Sequence, residues 1–340
     1  MRTNNTPPRP SENTISTKRI GWIDWAKALG ILLVVMGHSH YSVKEIEPMI
    51  FMIHMPLFFL VSGYLYNHRK SFKQIANECV KGLLVPYVLY NVFFAIYWIF
   101  LGFLKYSMNQ PYDWIACIIT PGWHTLFGIS LGIFDGPTWF LLALLWCKIL
   151  SYLLHNGSWR MIITSIMIWS SLLMIRIRYD VQYPYAIDCA CAGFIWFEAG
   201  KIVRKFSQKI IISKLYLYLS IPIGAIVCYE VMSFQGQCNY ILARTGGIIG
   251  IIGSAAGLAT FFSICKLLER YNNPIIVMMS KASIVVMCLH MFVNGWLEQI
   301  LHYQNHLLYT FIVDLSLTLV LTSLFPMIQK YMPALIGGRK

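Results

Sequence analysis

The chain has 340 residues, of which 57% are hydrophobic and 12% are charged, about half the charged fraction of a typical soluble domain. This composition excludes an ordinary soluble protein and favours an integral membrane protein that crosses the bilayer several times. The formal net charge of +13 would suit a nucleic-acid binder, but no basic helix, zinc spacing or stacking motif accompanies it, so we expect no nucleic-acid partner.

The chain reads as one membrane domain between two polar ends. Residues 1–19 are polar and rich in Pro, Asn and Ser, without the apolar core of a signal peptide. We expect residues 1–19 to be a flexible cytoplasmic tail, residues 20–328 to be the membrane domain, and residues 329–340 to be a second cytoplasmic tail. No internal repeat or linker divides the domain.

Ten segments are apolar and long enough to cross a bilayer, which takes about 20 helical residues. They lie near 20–40, 48–66, 82–104, 137–155, 160–176, 183–203, 210–232, 245–267, 275–297 and 307–328. The sequence therefore predicts an all-α, polytopic helix bundle with about ten transmembrane helices. Pro121, Gly122, Gly128 and Gly132 interrupt another apolar stretch, 112–134, which predicts an interfacial or re-entrant outer loop.

The basic residues indicate the orientation of the bundle. With the N terminus inside, 19 of the 27 Lys and Arg residues fall in inner segments, five in outer segments and three in or near the spans. Because cytoplasmic loops carry an excess of Lys and Arg, we expect both termini to be cytoplasmic.

The first span carries three ionisable residues in the stretch "DWAKALGILLVVMGH" (24–38). Successive helical residues turn by about 100° and rise by about 1.5 Å, so Asp24, Lys27 and His38 share one face. Lys27 lies roughly 16 Å and Asp24 roughly 21 Å from His38 along the axis, which predicts a polar path rather than a compact triad. Alternatively, Lys27 snorkels to the headgroups and pairs with Asp24, while His38 simply faces water.

Two further histidines are predicted at a depth similar to that of His38. His54 lies in "FMIHMPLFFLVSGYLY" (51–66) and His290 ends "SIVVMCLH" (283–290). Three histidines from three helices would suit a metal ion, but no carboxylate or cysteine spacing supports one, and we predict no metal site. A carboxylate that orients His38 would have to come from another helix, with Asp135 and Asp188 as candidates.

Three of these stretches and "GPTWFLLALLW" (136–146) resemble, in order and spacing, the signatures of the acyltransferase 3 family of integral membrane proteins. The branch similar to fucose 4-O-acetylases is the nearest in pattern, and the resemblance runs from about residue 20 to 328. The common family pattern has an arginine eleven residues before the first histidine. This chain has Lys27 there, which keeps the charge but not the planar fork of arginine.

The resemblance implies a multi-pass enzyme of the bacterial inner membrane that moves an acyl group, usually acetyl, from cytoplasmic acyl-CoA to a sugar hydroxyl. The acceptor would be a cell-surface polysaccharide or its lipid-linked precursor, with no bound cofactor. His38 would be the general base or the acyl acceptor, and His54 would belong to the same centre. Asp24 and Lys27 would help to build the acyl-CoA path.

For several other positions the sequence allows two interpretations. Trp139 is either an aromatic-belt anchor or a platform on which a sugar stacks. Two basic clusters either follow from topology or receive the phosphates of CoA; they are Arg69, Lys70 and Lys73, and Lys201, Arg204 and Lys205. Glu198 is expected to pair with Lys201. A transporter or flippase of a polysaccharide precursor, with the buried charges along its substrate pathway, is the alternative function.

Overall fold

The computed structural model describes residues 19–39, 46–156, 159–207, 214–235, 238–300 and 307–338, and within these ranges the chain is helical and contains no β-sheet. Its α-helices are α1 (Gly21–Gly37), α2 (Glu47–Tyr64), α3 (Phe72–Cys79), α4 (Val85–Ser107), α5 (Thr120–Phe127), α6 (Trp139–Asn156), α7 (Trp159–Tyr179), α8 (Ile187–Ser207), α9 (Lys214–Gln235), α10 (Gly247–Leu268), α11 (Pro274–Ile300), α12 (Leu307–Ser323) and α13 (Phe325–Tyr331).

All ten predicted spans coincide with helices. In the described part of the chain, seven helical segments are long and apolar enough to cross a membrane: Glu47–Tyr64, Phe72–Ser107, Gly136–His155, Lys214–Phe234, Gly247–Tyr271, Pro274–Ile300 and Leu307–Tyr331. This confirms the all-α, polytopic membrane class. The other three predicted spans are α1, which has only 17 residues, and the more polar α7 and α8. The count of ten and the side of the termini stay predictions.

The stretch 112–134 contains a helix that we did not expect. Ile115–Phe127 is a short apolar helix that ends at Gly128 with φ +60, and it is shorter than the roughly 20 residues of a span. Pro121 lies inside this helix, directly after the π-helical turn Ile115–Ile119. The irregular hydrogen bonding of that turn accommodates a residue that has no N–H to donate. The stretch therefore contains a helix but no span, and its interfacial or re-entrant position stays a prediction.

The first helix lies inside the bundle. It packs against α2, α10, α11 and α12, and Ala26, Ala28 and Val35 are fully buried. Its polar residues therefore face other helices.

Small residues allow α2 and α8 to approach closely. A Cβ atom at Gly63 would lie 1.8 Å from the carbonyl oxygen of Phe197, and one at Gly200 would lie 2.0 Å from that of Leu60. Only glycine fits at such a contact between two backbones. The nine cysteines are all free, and eight of them are buried, as expected of packing residues.

Candidate active site

Three histidine rings meet where α1, α2 and α11 come together. The ring centroid of His38 lies 5.9 Å from that of His54 and 5.2 Å from that of His290. The prediction that the three lie at similar depth is therefore confirmed. In the residues that the structure describes, no group of three His, Cys, Asp or Glu side chains is arranged to hold a metal ion.

Each of the three rings is oriented by its own helix. The Nδ1 atom of each lies within hydrogen-bonding distance of a backbone carbonyl oxygen one turn earlier: His38 on Val34 at 2.8 Å, His54 on Ile50 at 2.8 Å, and His290 on Met287 at 2.7 Å. A carbonyl oxygen only accepts, so Nδ1 must carry the hydrogen. The Nε2 atom of each neutral ring is then the unprotonated nitrogen, which can act as a base or a nucleophile.

His38 and His54 line one cavity of about 380 Å³, within the range of small-molecule sites. We call it the histidine cavity; its other lining residues are mostly apolar and include Phe51, Met55, Phe58, Trp139, Phe140 and Met287. Residues 130–132 and 239–241 close it at the predicted outer end. His290 does not line the cavity. It is fully buried behind His38, and its Nε2 has no hydrogen-bond partner among the described residues.

Neither candidate carboxylate orients His38. Asp188 accepts a hydrogen bond from Nε of Arg176 at 3.0 Å, in a buried ion pair between α7 and α8. Asp135 is buried beside Cys288 of α11, and its backbone N–H donates to Asn91. The carbonyl of Val34 holds the Nδ1–H of His38 instead, so neither candidate has this role.

Two polar residues near His38 were missed by the sequence analysis. The Nδ2 atom of Asn294 donates to the backbone oxygen of His38 at 3.4 Å, and Asp314 of α12 is fully buried beside Ser39. A carboxylate in an otherwise apolar span usually faces the protein interior, so Asp314 carried a usable signal. Asn294 lies near the end of α11 and carried none.

The other two members of the stripe on α1 lie near the opposite end of the helix. Asp24 accepts two hydrogen bonds from Arg19, from Nε at 3.1 Å and from Nη2 at 2.5 Å. Lys27 donates to the backbone oxygen of Ser280 at 2.6 Å. Its ammonium group therefore contacts α11 within the bundle.

Lys27 lines two cavities. The lysine cavity, of about 180 Å³, is lined by residues that include Lys27, Phe58, Ser62, Asn67, Lys70 and Lys148. The arginine cavity, of about 660 Å³, is lined by residues that include Arg19, Asp24, Lys27, Asn67, Lys70 and Arg204. The shared residues show that the two cavities adjoin. Asp24 and Lys27 thus lie on the walls of adjoining polar cavities.

A third cavity, of about 710 Å³, continues from the arginine cavity at Asn67 and Arg204. We call it the basic cavity; its charged and imidazole residues are His68, Arg69, His155, Glu198, Lys201, Arg204 and Lys205. Glu198 pairs with Lys201 at 2.8 Å, as predicted. The fold thus brings together the two basic clusters seen in the sequence, except Lys73, which does not line these cavities. One carboxylate against four Lys and Arg side chains favours an anion such as phosphate.

Comparison with known proteins finds two relatives of low sequence identity and a family whose model matches the chain. The nodulation protein NolL of Mesorhizobium japonicum is 26% identical over 196 residues, which are 52% of this chain and 47% of NolL. That of Sinorhizobium fredii is 24% identical over 205 residues, 52% of this chain and 48% of the relative. The matched part is therefore about half the length of these curated relatives. No solved structure matches the chain.

The family assignment covers the whole helix bundle. The acyltransferase domain of the acyltransferase 3 family matches residues 20–328. This range includes the three histidines and, apart from Arg19, the residues that line the lysine, arginine and basic cavities. The chain therefore belongs to the acyltransferase 3 family of multi-pass membrane proteins.

Proposed function

We propose that the chain is an O-acyltransferase of the bacterial inner membrane that moves an acyl group, most simply acetyl, from cytoplasmic acyl-CoA to a sugar hydroxyl. The acceptor is a cell-surface polysaccharide or its lipid-linked precursor. One observation carries the proposal: His38 and His54 line the same apolar cavity with both Nδ1–H groups held by backbone carbonyls. The family supports the type of reaction.

The donor binds from the basic side. The phosphates of CoA pair with cations of the basic cavity, such as Arg69, Arg204 and Lys205, and the pantetheine arm runs past Lys27. Asp24 supports this path by holding Arg19 at the wall of the arginine cavity. Roughly 16 Å separate Lys27 from His38 along α1, a span that suits an extended pantetheine arm rather than a nucleotide.

Two routes use the same nitrogen of His38. In the first, Nε2 accepts the proton of the sugar hydroxyl while its oxygen attacks the thioester carbonyl, the C–S bond breaks, and CoA leaves as the thiolate. In the second, Nε2 itself attacks the carbonyl to form an acyl-imidazolium while the C–S bond breaks and the thiolate leaves. The sugar oxygen then attacks the acyl carbon, the C–N bond breaks, and the proton of the hydroxyl passes to the freed Nε2. Both routes need a neutral ring.

His54 supports this centre by its position. Its ring centroid is 5.9 Å from that of His38, so a positive charge on one imidazole disfavours a charge on the other in these apolar surroundings. The two rings are therefore not charged at the same time. Trp139 lines the same cavity, as do Asn239 and Tyr240, and its ring offers the acceptor sugar a surface on which to stack.

The test is transfer of radiolabelled acetyl from acetyl-CoA to envelope glycan, in membranes that contain wild-type protein or His38→Ala. We expect label on glycan with wild type and a loss of at least about 100-fold in the variant. Thermal unfolding of both purified proteins controls for folding. No transfer from acetyl-CoA or longer acyl-CoAs by folded wild-type protein would contradict the proposal and favour the transporter.

A further inference from the structure

The lysine cavity and the histidine cavity lie end to end along α2. Met55 lines the histidine cavity, Ser62 lines the lysine cavity, and Phe58 lines both. These residues are three and four positions apart, so they follow one another along a single face of the helix. Phe58 therefore stands at the boundary between the two spaces.

Two other helices repeat this order. On α1, Lys27 lines the lysine cavity and Val34 lines the histidine cavity; on α6, Leu144 and Phe140 do the same. Three helices thus wall both cavities in succession. The two spaces are stacked along the bundle, with Phe58 between them.

The ring of Phe58 is held by neighbours on both of these helices. Its centroid is 6.2 Å from that of Phe140. On α1, a Cβ atom at Gly30 would lie 3.3 Å from Cζ of Phe58 and 2.3 Å from a methyl carbon of Leu57. Because Gly30 has no side chain, the Phe58 ring can lie against the backbone of α1. The ring is half-buried there.

We propose that Phe58 is the gate of the acyl path and determines whether the acyl group passes to the acceptor or to water. This inference rests on the proposed function, in which the donor arrives through the lysine cavity. The thioester must pass the Phe58 ring to reach Nε2 of His38, so the arm displaces the ring as it enters. Without a donor, the ring separates the polar cavities from the reaction cavity.

Loss of the ring has a defined chemical consequence. Water from the polar cavities reaches a thioester near His38, and its oxygen attacks the carbonyl while Nε2 accepts its proton. The C–S bond breaks, the CoA thiolate leaves, and acetate is released. The enzyme then hydrolyses acetyl-CoA without an acceptor, a side reaction that closed sites prevent by excluding water.

The experiment uses the full-length protein in lipid nanodiscs with acetyl-CoA alone, and it measures release of the CoA thiol. We expect Phe58→Ala to raise this release at least tenfold over wild type, and the double variant Phe58→Ala with His38→Ala to abolish the increase. Phe58→Leu should give a smaller increase. Phe93→Ala is the matched control, because Phe93 is 53% exposed on α4 and lines none of these cavities.

A larger side chain tests the same gate from the opposite direction. Phe58→Trp should lower acetyl transfer to envelope glycan at least tenfold while CoA affinity stays within twofold. If wild type transfers acetyl but folded Phe58→Ala and Phe58→Leu release no additional thiol, the gate is wrong and the acyltransferase stands. If wild type itself transfers no acyl group, the proposed function fails and the gate fails with it.

Discussion

His38 and His54 share a cavity but differ in access to it. His38 is half-buried at the end of α1, whereas His54 is only 1% exposed. The more accessible ring is better placed to meet both donor and acceptor. This difference separates the expected effects of changing the two residues.

We expect His38→Gln to lower kcat for acetyl transfer by at least about 100-fold, because a glutamine amide can neither accept the hydroxyl proton nor carry the acyl group. The KM for acetyl-CoA should change little, since the basic-side cavities that bind the donor are intact. His54→Gln should lower kcat by about tenfold, as expected of a supporting group. Initial rates at varied acetyl-CoA check both; a change confined to KM for His38→Gln would contradict its role.

His68 provides a test of the phosphate site. Partial burial, and then the neighbouring His155, Arg69, Lys201 and Arg204, hold the pKa of His68 below its ordinary value of 6.5. A bound phosphate adds negative charge beside the imidazole, so it raises that pKa and binding takes up a proton. CoA affinity should therefore rise as the pH falls from 7.5, and level off below the pKa of the free protein.

Isothermal titration with CoA at pH 7.5 and 5.5 measures this linkage. The phosphates of CoA titrate in the same range, so the comparison is between wild type and His68→Gln at each pH. We expect the increase in CoA affinity from pH 7.5 to pH 5.5 to be roughly threefold larger for wild type than for His68→Gln. Identical pH dependence in the two proteins would show that no phosphate binds beside His68.

Sequence reasoning reached some of these residues and not others. The 3.6-residue period placed Asp24, Lys27 and His38 on one face, because that geometry is local to α1. The sequence gives no signal for the gate at Phe58, because a phenylalanine between Leu57 and Phe59 is typical of any apolar membrane helix. Its position between two cavities depends on α1 and α6, which no local pattern specifies.

At the scale of elements, the contact between α2 and α8 depends on two glycines. Gly63→Ala places a methyl group 1.8 Å from a backbone oxygen, so the helices must separate. We expect a loss of about 1–3 kcal/mol in the free energy of unfolding, measured by thermal or denaturant unfolding in detergent. Gly295→Ala is the control, because its Cβ on α11 would meet nothing within 4 Å. It should be neutral or slightly stabilising, and equal losses in both variants would contradict the packing argument.

The elements themselves were largely predictable. A helix lies in each of the ten predicted spans, because each span is one apolar run. The pattern missed the short helix Ile115–Phe127, because Pro121 and the neighbouring glycines indicated an interruption. It also said nothing of which helices touch, so the partner of Asp188, Arg176 on α7, was found only in the structure.

At the scale of the molecule, the cavities follow the predicted orientation. The basic cavity is lined by residues of predicted inner segments, and the histidine cavity is closed by residues 130–132 and 239–241 of predicted outer segments. With the predicted orientation, the basic cavity and the histidine cavity lie towards opposite sides of the membrane. In the proposed reaction, the donor would then enter from the inner side, and the acceptor would bind in the cavity that the outer segments line.

Reporter fusions check this orientation. Green fluorescent protein fused after residue 340 should fluoresce, and alkaline phosphatase at the same point should be inactive, because the positive-inside rule places this end in the cytoplasm. Alkaline phosphatase fused after residue 239 should be active. The reverse pattern would invert the bundle and place the basic cavity outside, away from cytoplasmic acyl-CoA.

The bonds from the three imidazoles to their own backbones have a consequence for the membrane itself. Each ring is hydrogen-bonded to the helix that carries it. The distances between the Nε2 atoms are therefore set by the tilt of α1, α2 and α11 relative to one another. Bilayer thickness influences helix tilt through hydrophobic mismatch. We therefore expect the distances between the imidazoles to depend on the helices and the surrounding lipid together, so that a thicker or thinner membrane changes them while the side-chain torsions stay the same.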